Sequence, residues 1–164
     1  MSSRFAAARR FAPVAASIIG AAIAVAALAQ TPGPSPGRQA LESRKAVFTL
    51  IEANFRPLGA ILKGDAPFDA AAAQKRADRI VFLAGLLDEN FPESSNLGEP
   101  DSKAKAALWE QRADFEQKLK RFQDHAAALV EVSATEKGAT EAFDGAVAAA
   151  AQDCKGCHDA YKTK

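Results

Sequence analysis

The sequence is poor in several residues that carry chemistry or anchor folds. It holds two cysteines, two histidines, one tryptophan, one tyrosine and a single methionine, Met1. Two cysteines and two scattered histidines fall short of an evident four-ligand zinc site. Beyond the first thirty residues no apolar run is long enough to span a bilayer. In the same region no segment alternates apolar and polar residues over the length of a strand, which argues against a sheet-based domain. Charge of one sign is also lacking. Removing Arg4, Arg9 and Arg10 from the 21 lysines and arginines leaves 18 basic residues against 20 acidic ones. No concentrated basic patch is present, so nucleic acid is not an expected partner.

The N-terminal residues 1–29 read as an address. Arg4, Arg9 and Arg10 form a basic start, "VAASIIGAAIAVAALA" follows from Val14 to Ala29, and Ala27-Leu28-Ala29 resembles a cleavage signal. That order is the pattern of a secretory signal peptide. A retained anchor would want about twenty apolar residues, more than this alanine-rich run supplies. Arg9-Arg10 could suggest a twin-arginine signal, but its surroundings do not otherwise support that route. Residues 30–39, including "TPGPSPGR", form a Pro/Gly/Ser linker with no means of building a core. Residues 40–164 have the length of one domain, with no membrane association expected after cleavage.

Within that domain four segments show a helical period. The first runs from about Ala40 to Lys63, with Leu41, Phe48, Phe55 and Leu62 spaced by seven and Ile51 and Leu58 between them. Position 44, which continues that seam, is arginine. The second starts near Asp69, a candidate N-cap, and carries Ala73, Ala77, Ile80, Ala84 and Leu87. "NFPESSNLGEPDS" is too rich in breakers for a helix. A third helix follows to about Val132, with Leu108, Phe115, Leu119, Phe122, Ala126 and Leu129 on one face. The last begins between Glu136 and Thr140 and carries Phe143, Val147, Ala150, Cys154, Cys157 and Tyr161. The expected fold is all-α, an antiparallel up-down-up-down four-helix bundle, with both cysteines on the buried stripe of its last helix.

Both cysteines and one histidine fall in Asp153-Cys154-Lys155-Gly156-Cys157-His158. A redox dithiol usually accompanies a βαβ unit and a helix N-terminus, and neither is available here. Zinc would find three ligands and only His125 as a remote fourth. A Cys154–Cys157 disulfide would close a tiny loop inside a helix and leave the histidine unexplained. C-x-x-C-H is the signature of covalent haem c attachment. Two thiols add across the vinyl groups while His158 offers an imidazole from the same helical face.

The opposite side of such an iron has few candidates. Methionine ligation is excluded by composition once Met1 departs with the leader. His125 lies one place off the apolar stripe of the third helix and more readily faces a groove or solvent. Lysine ligation would desolvate a charge in an apolar core. Five-coordinate iron follows, open to a small diatomic gas such as nitric oxide or carbon monoxide.

The segments "CKGCHDAYK", "SRKAVFTLIEANFRPLGAILKG", "APFDAAAAQKRADRI", "FPESSN" and "SKAKAALWEQRADFEQKLKRFQD" together resemble the cytochromes c′, the class II c-type cytochromes. The resemblance covers nearly all of residues 41–164. It implies a periplasmic homodimer, not an enzyme, with haem c near the C-terminus. Cys154 and Cys157 match the thioether cysteines and His158 the iron ligand. Arg44 matches an arginine beside the haem propionates, Lys45 the adjoining pocket position and Phe48 the apolar cover of the distal face. Phe91 resembles an aromatic at the haem edge, and Lys162 stands where the family keeps a basic residue near the proximal face. The absence of a distal methionine favours the high-spin type, acting in electron transfer with a periplasmic redox partner protein, in gas binding, or in both. A low-spin six-coordinate carrier and a non-haem module with a Cys154–Cys157 disulfide are the alternatives. Read without the resemblance, Arg44 can simply snorkel, Phe48 is a core residue, and Lys162 suits the end of a helix. Trp109 and Tyr161 read as core or rim aromatics.

Overall fold

The computed structural model describes residues 33–96 and 98–164; the leader reading of residues 1–29 falls outside them. Four long helices and one short one follow in order: α1 Pro36–Leu62, α2 Ala70–Gly85, α3 Ala107–Glu110, α4 Arg112–Thr135 and α5 Glu141–Tyr161. The four long helices form the expected up-down-up-down bundle. α1 packs on α2, α2 on α4, α4 on α5, and α5 returns to α1. Among the described residues no helix is long and apolar enough to cross a membrane.

Helix boundaries follow local chemistry. α1 begins at Pro36, inside the expected linker, because Ser35 Oγ accepts from Arg38 N–H and proline occupies the first turn. It ends in a turn at Gly64, whose φ of 76° is open to glycine, with Asp65 N–H donating to the Ala60 carbonyl. Asp69 caps α2 as expected, and Thr140 caps α5. The third helix is broken where one continuous helix was expected. Lys103–Lys105 instead pair with Tyr161–Thr163 through an antiparallel bridge between Ala104 and Lys162. Backbone extended in that pairing cannot be helical, so α3 starts only at Ala107 and a kink at Gln111 separates it from α4.

The buried stripe of α1 keeps the seven-residue spacing but in another phase. Arg44, Ile51 and Leu58 alternate with Val47, Asn54 and Ile61, with Leu41 one turn before them, while Phe48 lies outside the core at 37% exposure. Phe48 follows Val47 by one residue, about 100° further round the helix, and so stands at the edge of that stripe. The core itself is built from Leu41, Val47, Ile51, Leu58 and Ile61 of α1 with Ile80, Leu83, Leu108, Phe115, Leu129, Phe143 and Val147.

Gly37 lets the 93–96 turn lie directly against α1. A Cβ at that position would meet the Ser94 carbonyl oxygen at 2.5 Å, whereas one at Gly145 on α5 meets nothing within 4 Å. Gly37→Ala is therefore expected to destabilise the bundle by about 1–3 kcal/mol. Gly145→Ala should stabilise it by about 0.5–1 kcal/mol by removing helix-interior glycine. Denaturant titration of both variants measures this; a Gly37→Ala protein as stable as the parent would contradict the close contact.

Candidate cofactor site around Cys154, Cys157 and His158

The last turns of α5 carry the Cys-Lys-Gly-Cys-His run, and several contacts hold that helix end in place. Lys105 Nζ donates to the carbonyls of Asp159 and Ala160, both at 3.1 Å, so a lysine from the loop before α3 caps the α5 C-terminus. Lys162 N–H donates to the His158 carbonyl, and Tyr161 OH donates to Asp114 on α4. Burial, reinforced by that carboxylate, pushes the Tyr161 hydroxyl up to about 12.

Both thiols are free and half-buried, partly packed on the core rather than fully inside it. The fully buried side chain at this turn is Asp153, at 4% exposure. That departs from the expected stripe and is tolerated because both carboxylate oxygens are occupied. Arg121 Nε donates to Oδ1 at 2.6 Å, and His125 Nδ1 lies 2.5 Å from Oδ2. His125 is therefore half-buried, with its ring against the Asp153 carboxylate. Burial first, then the Asp153 charge and then Cys157, push the Cys154 thiol up to about 11. Burial raises Cys157 as well. Neither thiol is the low-pKa thiolate that a redox dithiol needs.

His158 stands at an exposed edge of α5. Surrounding protein first, and the Lys162 charge second, hold its imidazole below the ordinary value. A neutral ring offers a lone pair for a metal. Facing it from α1 is Phe48, with ring centroids 6.4 Å apart. Phe48 leans on Phe91 at 6.3 Å, and Phe91 on Phe115 at 4.9 Å. The structure thus brings Phe48, Phe91 and His158 together, with Phe91 buried behind the pair.

Arg44 is 4% exposed, and no carboxylate lies within ion-pair distance of it among the described residues. Its guanidinium donates to Ser95 Oγ at 3.1 Å and Ser102 Oγ at 2.8 Å, and it lies 5.2 Å from the Phe91 ring centroid and 5.9 Å from that of Trp109. Desolvation lowers its pKa. A buried cation without a buried anion is costly, and an anionic group held beside it would relieve that cost. Lys45 points elsewhere, to Asp101 at 2.8 Å. Asp101 also pairs with Arg38, and these two cations hold its carboxyl down to about 2. Lys162 is exposed just past α5.

Sequence reasoning missed Asp153, Ser95, Ser102, Asp101 and Lys105. Only Asp153 had a legible signal: it follows Ala150 by three residues on an otherwise apolar helical face. The donor set fits haem c. Two adjacent neutral thiols and a neutral imidazole share one helix face, an aromatic side chain opposes the imidazole, and a buried guanidinium awaits an anion. Residues 39–162 match the family model described as Cytochrome C′. A cytochrome c′ of Cereibacter sphaeroides is 32% identical over 142 residues, 85% of this chain and 93% of that protein. The solved cytochrome c prime from Shewanella frigidimarina shares the fold with TM-score 0.74 at 39% identity, covering 80% of this chain and 99% of its own. A nitric oxide complex of a variant cytochrome c prime from Alcaligenes xylosoxidans gives TM-score 0.69 at 27% identity, covering 78% and 97%. A bundle of this form, with its paired thiols and histidine on the last helix and a family match over nearly all of it, belongs to the cytochrome c′ family of haem c proteins.

Proposed function

We propose that this chain is a periplasmic mono-haem cytochrome with high-spin, five-coordinate iron, serving electron transfer and reversible binding of nitric oxide or carbon monoxide. The observation that carries this reading is the pairing across 6.4 Å of His158 with Phe48, a side chain without a ligating atom. Bound haem supplies an iron that exchanges one electron and can take a diatomic gas at an open position. The chain's own residues do the rest. Cys154 and Cys157 would hold the group by thioethers, and His158 would ligate the iron from the α5 side. Arg44, oriented by Ser95 and Ser102, would neutralise the carboxylate substituents. Phe48, backed by Phe91, would wall the opposite face and set what size of molecule enters. Lys45 would fix the loop above Arg44 through Asp101, and Lys162 would keep the proximal side positive. The nitric oxide complex known for the Alcaligenes xylosoxidans relative supports the gas-binding half. The leader-like residues 1–29 support the periplasm.

A homodimer fits the surface. Leu50 is 51% exposed, Phe82 67% and Leu86 41%, all on or beside the α1–α2 face, an apolar patch away from the site. A self-complementary pairing of α1 and α2 would cover it on both subunits.

Three outcomes are expected of protein matured with haem-attachment machinery. Its haem should resist acid-acetone extraction, and Cys154→Ser with Cys157→Ser should release it; extractable haem in the parent would overturn the reading. Phe48→Ala should speed nitric oxide association about tenfold, the equivalent of removing roughly 1.4 kcal/mol of steric barrier. Stopped-flow rates equal in the two proteins would reduce Phe48 to packing. Phe82→Glu should shift the sedimentation coefficient from dimer to monomer; a parent already monomeric would remove the dimer.

A further inference from the structure

The cluster of Asp153, His125 and Arg121 serves no role in the site described above, yet its carboxylate is built into the turn that carries Cys154. Asp153 precedes Cys154 directly and is buried, with one oxygen on Arg121 Nε at 2.6 Å and the other on His125 Nδ1 at 2.5 Å. Both partners project from α4, one helical turn apart, and both remain partly open to solvent. The arrangement couples an inner charge, next to the attachment point, to an outer imidazole partly open to solvent.

We propose that His125 is a redox-linked proton site: it takes up a proton at its imidazole when the haem attached beside Asp153 gains an electron, and releases it on oxidation. This rests on the haem reading given under Proposed function. The balance is simple. One electron arrives from the redox partner, one proton arrives from solvent, and the imidazole bonded to Asp153 through Nδ1 accepts it at Nε2. With His125 neutral the carboxylate is offset by Arg121 alone, and the cluster carries no net charge. With His125 protonated it carries one positive charge, which stabilises the added electron. The midpoint potential should therefore fall as pH rises through the histidine range, between about pH 5 and 8.

The surrounding charges leave this linkage intact. Among the described residues Asp153 is the one carboxylate within ion-pair distance of His125. Asp124, its neighbour on α4, is engaged by Lys120. Arg121 stays charged throughout this range and sets a constant background. From α5 the Cys154 thiol is the other titratable group beside Asp153, and its proton is lost on thioether formation.

The alternative is that Asp153 only staples α4 to α5, and His125→Gln separates the two. Glutamine can still donate to Asp153 but cannot titrate. Redox titrations of the holoprotein from pH 5 to 8 should show a falling potential in the parent and a flattened step in His125→Gln, with haem attachment retained in both. A tenfold difference in His125 proton affinity between oxidation states would appear as 59 mV for this one-electron couple. The second readout is the NMR titration of the His125 ring, whose midpoint should lie higher in the reduced parent protein than in the oxidised one. Equal midpoints in the two states overturn the proposal whatever the variant does, as does an unchanged pH slope in His125→Gln. A chain that never acquires covalent haem would instead remove the underlying haem reading.

Discussion

The closure of the bundle, α5 returning to pack beside α1, is the constraint on which the site depends. His158 and Phe48 are 110 positions apart in the chain, yet this single helix pairing sets their rings 6.4 Å apart. No local sequence pattern can do that. It follows from four amphipathic helices burying their apolar stripes against one another, with the first and last left as neighbours. Everything assigned to the site sits at that seam, on residues 91–95 packed against it, or on the loop that spans it.

That loop, residues 98–106, joins the two sides. Asp101 reaches Arg38 and Lys45 on α1, Ser102 reaches Arg44, and Lys105 caps α5. Individually these surface pairs contribute little to stability. Their importance is geometric, because they set how far α1 and the end of α5 can separate, and thus how wide the space before His158 can open. The buried guanidinium of Arg44 has the opposite character: it weakens the unliganded fold and favours a state in which an anion sits beside it.

Much of this was legible in the sequence, and the failures have physical causes. The four helices, the Asp69 cap and the Cys-Lys-Gly-Cys-His turn follow from period, capping chemistry and spacing. Arg44 announced itself by interrupting an apolar seam. Phe48 did not, because Leu41, Phe48, Phe55 and Leu62 make a heptad row of their own, while the bundle buries the adjoining rows through Val47 and Ile51 and leaves Phe48 at the edge facing His158. The break at Gln111 was hidden because Lys103–Lys105 are helix-compatible residues drawn into backbone pairing with the C-terminus. Ser95 and Ser102 carry no pattern at all; their roles exist only once the loop folds over Arg44. Asp153 stood on an apolar helical face, but its partners Arg121 and His125 come from α4 and only the packed bundle shows them.

The proposed five-coordinate state turns on one atom, the iron that His158 would hold with Phe48 facing it from α1. Electron paramagnetic resonance of the oxidised holoprotein interrogates that atom directly. A high-spin ferric signal with no low-spin component is the expected result. A low-spin signal in the absence of added ligand would mean that a second side chain reaches the iron, and would contradict the five-coordinate site.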